Sequence, residues 1–359
     1  PQIQAEMPRV KQPIRELIVL GILSGCAGTS LPLGQAAALP KESVERVQLP
    51  GGEAGIGFDD LQFSETLKKF LVPGGRTGKL FLISPSTREV TSIDGFSSKE
   101  SYGGGHGDGA TSACEQGGLL YASDRGTGSV KIVDPDARKI IASVPLLGGP
   151  DYVRCLGSSH ELWVTEPGKE QIEILTLGAG GRTARSAGRV SIPGGPESLV
   201  LDARRMRGYT HTWKATSYAI DLKARSIAAT WSNGCQGSRG IALDEKKGWL
   251  FVGCEEGKSV VLDAASGKSL SALVAGSGID SIRYAASLGH LYVPGGDSGD
   301  LSILGVSSSG RLSLLGKMKT GPDAHTAAFD PDSRSVVIGL PEHGQVLILR
   351  DEYPPSAGE

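Results

Sequence analysis

Residues 240–274 read GIALD-EKKG-WLFVGC-EEG-KSVVLD-AASG-KSLSALV. Four runs of five to seven residues alternate with short turns. Runs of that length, bounded by Gly, Asp and Lys, read as strands rather than helices. Asp263, followed by Ala264-Ala265-Ser266-Gly267, closes the third run with a carboxylate able to bond the turn backbone. The stretch is therefore one antiparallel sheet of four short strands.

The same unit recurs. Residues 110–144 read ATSACEQGGLLYASDRGTGSVKIVDPDARKIIASV, and residues 198–231 read SLVLDARRMRGYTHTWKATSYAIDLKARSIAATW. Asp134-Pro135 and Asp221 close their third strands in the same way. Taking the last residue of each LYV-type triplet as an anchor gives Val72, Ala122, Val164, Thr210, Val252, Val293 and Ile338. These fall 41 to 50 residues apart, the period of four-stranded propeller blades. The last unit, 324–351, supplies three strands only. Residues 42–50 (ESVERVQLP) precede the first unit and would supply the fourth. The expected fold is all-β: a seven-bladed β-propeller of four-stranded antiparallel blades, closed by an N-terminal strand completing the last blade.

Composition agrees. Glycine accounts for 52 of 359 residues, about twice the usual share, as many tight turns require. Lys plus Arg is 37 against 39 Asp plus Glu. No basic run tracks a phosphate backbone, so no nucleic-acid partner is expected. The chain is expected to be monomeric.

The start of the sequence is expected to direct export. Arg9, Lys11 and Arg15 precede the apolar run Leu17–Leu23 (LIVLGIL), which is too short to span a bilayer. Leu23-Ser24-Gly25-Cys26 resembles the lipobox of bacterial lipoproteins, which implies cleavage before Cys26 and lipidation of its thiol. Ordinary secretion is the alternative reading. Residues 1–25 are thus expected to be a signal peptide starting at Met7. Cys26 would be lipidated, 26–43 a tether, and 44–355 the propeller. The expected location is the cell envelope, held to a membrane through Cys26.

The other cysteines are Cys114, Cys155, Cys235 and Cys254. Cys235 and Cys254 flank the first hairpin of the fifth unit, and a disulfide between them would pin the loop carrying Arg239. Arg239 itself should lie opposite Cys254. Cys114 and Cys155 belong to adjacent units and are expected to be unpaired and partly buried.

The stretches 57–83 (GFDDLQFSETLKKFLVPGGRTGKLFLI), 148–154 (GGPDYVR), 194–202 (GGPESLVLD), 233–245 (NGCQGSRGIALDE) and 291–296 (LYVPGG) resemble the YncE-like, YVTN-type propeller proteins of bacteria. The resemblance runs over roughly 50–353. It implies a propeller exported from the cytoplasm, with propeller lactonases as structural relatives. No unit carries the Trp-Asp dipeptide of WD40 blades.

In such a fold the loops feeding the seven inner strands converge on one channel mouth. They carry Asp59-Asp60, His106 with Asp108, Asp151-Tyr152, Glu197, Arg239, Asp280, and Asp323 with His325. The second set of loops adds Asp124-Arg125, Glu166, His211-Thr212-Trp213-Lys214, Glu255 and Glu342-His343. The ligand-binding candidates are Asp60, His106, Asp151, Glu197, Arg239, Asp280 and His325. Among them Asp60, Glu197, Asp280 and His325 could hold a divalent cation such as Ca, or the ring with Arg239 could clamp an anionic substrate. Solvated strand starts would also be polar without any ligand. The Gly-rich run 103–109 precedes a strand and lacks GK[ST], so it reads as a tight loop and not a phosphate cradle. GxSxG, HExxH and CxxCH are absent from the sequence.

Two functions are compatible with this pattern. One is a binding or scaffold module that takes a protein or small ligand at the mouth. The other, which the lactonase relatives imply, is a metal-dependent hydrolase with His325 and Arg239 as catalytic candidates. Gluconolactonase-type propellers also ligate their cation through Asn, and the chain has one, Asn233. A redox propeller is not supported: haem ligation motifs are missing and Trp numbers only 4.

Overall fold

The computed structural model describes residues 44–356; the expected signal, tether and Cys26 lie outside them. The described strands, β1 to β28 in chain order, form seven four-stranded antiparallel sheets. Blades 1 to 6 take four consecutive strands each: β2–β5 within 62–98, β6–β9 within 110–145, β10–β13 within 153–191, β14–β17 within 200–232, β18–β21 within 238–274 and β22–β25 within 283–319. Blade 7 takes β26–β28 within 327–350 and, as its outer strand, β1 (Val44–Gln48). The pairing runs from Val44 opposite Leu349 to Gln48 opposite Gln345. The molecule is a seven-bladed β-propeller, and each of the seven anchors falls in the second strand of its blade.

The middle strands read as unbroken apolar runs because both faces of each sheet are covered. In β27 (Ser335–Leu340), Val336, Ile338 and Leu340 face blade 6, while Val337 packs with Phe58, Phe70 and Phe81 of blade 1. Seven such apolar layers lie between successive blades. Outer strands see solvent on alternate residues, as β21 (Ser269–Val274) does.

Two disulfides are present. Cys235–Cys254 is the expected bridge, with Cα atoms 5.2 Å apart. Cys114 and Cys155, expected to be unpaired, are also joined, with Cα atoms 5.8 Å apart. They lie in β6 (Ala110–Gln116) and β10 (Val153–Leu156), the inner strands of blades 2 and 3. Inner strands crowd together because the blades narrow toward the axis; Val153 N donates to Ser112 Oγ across the same gap at 3.0 Å. Reading each unit by itself hid this neighbour relation.

His211, expected on the mouth face, is fully buried at the end of β15 (Arg207–His211). Its Nδ1 meets Ser217 Oγ at 2.8 Å. Burial depresses its pKa to about 3, only partly opposed by backbone hydrogen bonds.

In unreduced, denatured protein, Cys114, Cys155, Cys235 and Cys254 should titrate as no free thiol; four reactive thiols would refute both bridges. The Cys114→Ser/Cys155→Ser double variant should lose about 4 kcal/mol, the loop-closure value for a separation of 41 residues. His211 binds a proton in the unfolded chain below about 6.5 but in the folded one only near 3, so acidification across that window favours unfolding. His211→Gln should remove up to about 1.4 kcal/mol per pH unit of the fall in stability there. Equal slopes for variant and wild type in denaturant titrations between pH 4 and 6 would contradict this.

Candidate functional site

All seven first strands start at the same end of the channel. Asp59 precedes β2, His106 lies between β5 and β6, and Asp151, Glu197, Asp280 and His325 precede β10, β14, β22 and β26. Backbone bonds fix these entrances. Asp151 N donates to Thr165 O at 2.9 Å, Glu197 N to His211 O at 2.8 Å, and Ser281 N to His325 O at 3.0 Å. Arg239 arrives differently. Ser238, not Arg239, faces Cys254, and a register shift before Gly240 makes Arg239 the extra residue of a β-bulge. A bulge re-aims its side chain. The Cys235–Cys254 bridge and the bond from Cys235 N to Asn233 Oδ1 (3.1 Å) hold the incoming loop.

The Gly-rich run 103–109 is indeed a loop, and it carries His106 onto blade 1. A methyl at Gly57 would sit 2.0 Å from the Gly105 carbonyl oxygen and 2.9 Å from His106 Cα. Only glycine at 57 lets the two backbones approach this closely.

The structure brings His106, Asp280 and His325 together, from blades 2, 6 and 7. His106 Nε2 is 3.5 Å from Asp280 Oδ2, and His325 Nε2 is 3.7 Å from the same oxygen. The imidazole centroids are 5.7 Å apart. Behind them, Asp59 Oδ2 lies 3.0 Å from His106 Nδ1 and 3.1 Å from Arg125 Nη2. Arg125 also pairs with Asp151 and donates to the His106 and Pro150 carbonyls. His325 Nε2 meets the Phe58 carbonyl at 3.0 Å. On the far side Arg239 bonds Glu255 at 3.0 Å and approaches Glu197 at 3.7 Å and Asp280 at 3.9 Å. Its guanidinium lies 4.4 Å from the ring centroid of Trp213, which is 56% exposed.

Asp60, expected among the ligands, lies deeper and is committed elsewhere. Arg154 grips it with both Nη atoms, at 2.6 and 3.1 Å, and Ser112 Oγ donates at 2.6 Å. Arg283 is 3.8 Å from the same carboxylate and donates to the Leu61 carbonyl, while Arg154 Nε donates to Leu199 O. This network ties blades 1, 2, 3, 4 and 6 across the channel. Successive residues of an extended segment point opposite ways, so Asp59 faces the mouth when Asp60 faces inward. The sequence placed Asp59, Arg125 and Trp213 on this face without singling them out; no spacing rule separates Asp59 from Asp60.

Proton affinities at the mouth are displaced in opposite senses. The charge of Asp59 raises His106 to about 9, against the opposing effect of burial. Burial alone would raise Asp59, but His106 and Arg125 outweigh it and hold the carboxyl below its ordinary value. Glu197 is pushed up to about 8 by burial and by Asp280, with Arg239 opposing. At neutral pH His106 is therefore an imidazolium and Glu197 keeps its proton. A cavity of about 470 Å³ opens beside this cluster, lined by His106, Arg125, Asp151, Glu197, Trp213 and Arg239 among others. A second cavity, of about 360 Å³, lies at the opposite face between blades 2 and 3 and lacks comparable charge.

No family model matches the chain, and no curated protein matches it in sequence. In structure it is similar to a chain in a crystal structure of the mitotic checkpoint complex, with a TM-score of 0.72 at 15% identity over 93% of this chain and 99% of that one. It is also similar to a chain of Kuenenia stuttgartiensis hydrazine synthase, with a TM-score of 0.68 at 12% identity over 83% of this chain and 96% of that one. Likeness at such identity shows the fold, and the seven-bladed β-propeller is what these comparisons establish.

Proposed function

We propose that the protein is a ligand-binding propeller whose working surface is the channel mouth, and that its ligand is small and positively charged. One observation carries this: the cavity of about 470 Å³ beside a cluster in which the carboxylates Asp59, Asp151, Glu255 and Asp280, with Glu197 protonated at neutral pH, outnumber by one the cations Arg125, Arg239 and the His106 imidazolium. A concavity with excess carboxylate concentrates cations. Propellers commonly serve as binding scaffolds, in keeping with this reading.

The lactone-hydrolase alternative is less favoured, because two of its expected acidic residues are not free to act. Asp60 is held by Arg154, and Glu197 retains its proton at neutral pH, which removes it as a general base there. We further propose that the propeller works at the cell envelope, held to a membrane through lipid on Cys26. The basic-then-apolar segment ending in Leu23-Ser24-Gly25-Cys26 supports this, as do the two disulfides, which belong to oxidising compartments.

A panel of primary amines, amino acids, sugar acids and nucleotides, screened by thermal shift at low salt, tests the ligand class. Cationic members should raise the melting temperature, and a ligand at a hundredfold its Kd should add about 2.7 kcal/mol. Stabilisation by anions alone would overturn the proposal. Binding of a cation should tighten from pH 7 to 8 as Glu197 loses its proton, below the range in which His106 loses its own, and this dependence should flatten in Glu197→Gln. Labelled fatty acid should enter the wild-type chain but not Cys26→Ser when each is expressed in a bacterium with lipoprotein processing; equal labelling would remove the anchor.

A further inference from the structure

The mouth holds one group of side chains whose donor types are more specific than its overall charge. We propose that His106, Asp280 and His325 form a binding site for a first-row transition dication of the zinc class. This rests on the reading of the mouth as a cation-binding surface and names the cation.

Three features of the geometry support the assignment. Ligand atoms of the three residues all lie within 4.8 Å of one another, close enough for one ion to contact all three after small side-chain adjustments. Two imidazoles and one carboxylate are a donor set for zinc, manganese or iron, whereas calcium takes six to eight oxygens. The site also has the outer partner that ligating histidines usually have. Asp59, 3% exposed, faces His106 Nδ1 at 3.0 Å, on the ring edge away from Asp280, and Arg125 holds Asp59 in place. The Asp59 carboxylate thus pairs with the ring from the side opposite the other donors.

A surface ion pair would not need this construction. His106, Asp280 and His325 come from three separate blades and meet only because the ring closes. His106 also lines the cavity, so an ion bound there would border the space offered to a small molecule. Three protein donors leave at least one coordination position for such a molecule or for water. Binding has a defined proton balance: the ion replaces the proton on His106 Nε2. On His325 the ion would take Nδ1 and keep the Nε2 bond to the Phe58 carbonyl, or take Nε2, whose proton would then move to Nδ1 or leave to solvent.

The test uses the full, untagged chain, stripped with EDTA and dialysed against metal-free buffer. Titration with Co(II) should give one equivalent bound, with the visible absorption of low-coordinate cobalt, and Zn(II) should displace it. His106→Ala and Asp280→Asn should each weaken Zn(II) binding at least tenfold by calorimetry. Asp59→Asn should weaken it 10- to 100-fold, the range typical of an outer partner. Asp134→Asn, at the end of the third strand of blade 2 and away from the mouth, should leave affinity unchanged. Imidazole NMR of the wild-type chain gives a readout independent of variant folding: Zn(II) should shift His106 and His325 and spare His160 and His290.

Absence of Co(II) and Zn(II) binding, or binding that neither His106→Ala nor Asp280→Asn affects, overturns the assignment. If organic cations still bind while these metals do not, this inference fails and the cation-binding reading stands. If neither binds, both fall.

Discussion

Val44–Gln48 pairs antiparallel with the last strand of the ring, and the rest of the structure depends on that pairing. A propeller blade cannot bury either face alone; each face is covered by the next blade. Seven apolar layers therefore form a closed series, and opening it anywhere uncovers two sheet faces. The closing strand also caps what would otherwise be the free edge of Gln345–Arg350. Side chains reinforce the contact, with Gln345 Nε2 donating to Gln48 Oε1 at 2.9 Å. Apolar burial supplies the driving force, and the strand pairing makes it cooperative around the ring.

Closure also creates the polar interior. Seven inner strands that each pack an apolar side against a neighbour must turn something toward the axis. Here that something is sorted by depth. The lower layer is the set Asp60, Arg154 and Arg283, in which one carboxylate faces two guanidiniums and the Leu61 and Leu199 carbonyls accept from them. Removing one partner from such a buried set leaves an uncompensated charge and is strongly destabilising. In the upper layer protons sit on groups whose ordinary affinities have been displaced: an imidazolium at His106 and a neutral carboxyl at Glu197. Displaced proton affinities gathered in a concavity mark a candidate functional site.

Much of this was legible from the chain. The period of 41 to 50 residues and the Asp-led turns identified the blades, and the three-strand final unit pointed to 42–50 as its missing partner. Strand starts converge in any propeller, so the residues facing the mouth could be named as well. What could not be read was which of two adjacent carboxylates turns outward, because a one-residue difference reverses the side and both are Asp. Arg239 likewise reaches the mouth through a bulge, a local insertion that no periodicity announces. His211 followed the pattern of its neighbours yet went inward, and the Cys114–Cys155 bridge depends on a contact between blades that no single unit contains.

The polarity of the closing strand has a consequence for how the molecule can be held. Gln48 pairs with Gln345, just after the mouth-side turn 341–344, whereas Val44 pairs with Leu349 at the far end. Glu45 accordingly meets Arg88, in the turn joining the third and fourth strands of blade 1 on the face away from the mouth. The segment after the last strand stays on that face too: Asp351 accepts from His290 and Tyr292, and Ser356 N donates to the Leu288 carbonyl. Val44 thus lies on the rear side of the ring. Load applied at that residue would fall on the seam of the ring, on the side away from the imidazoles and carboxyls of the mouth.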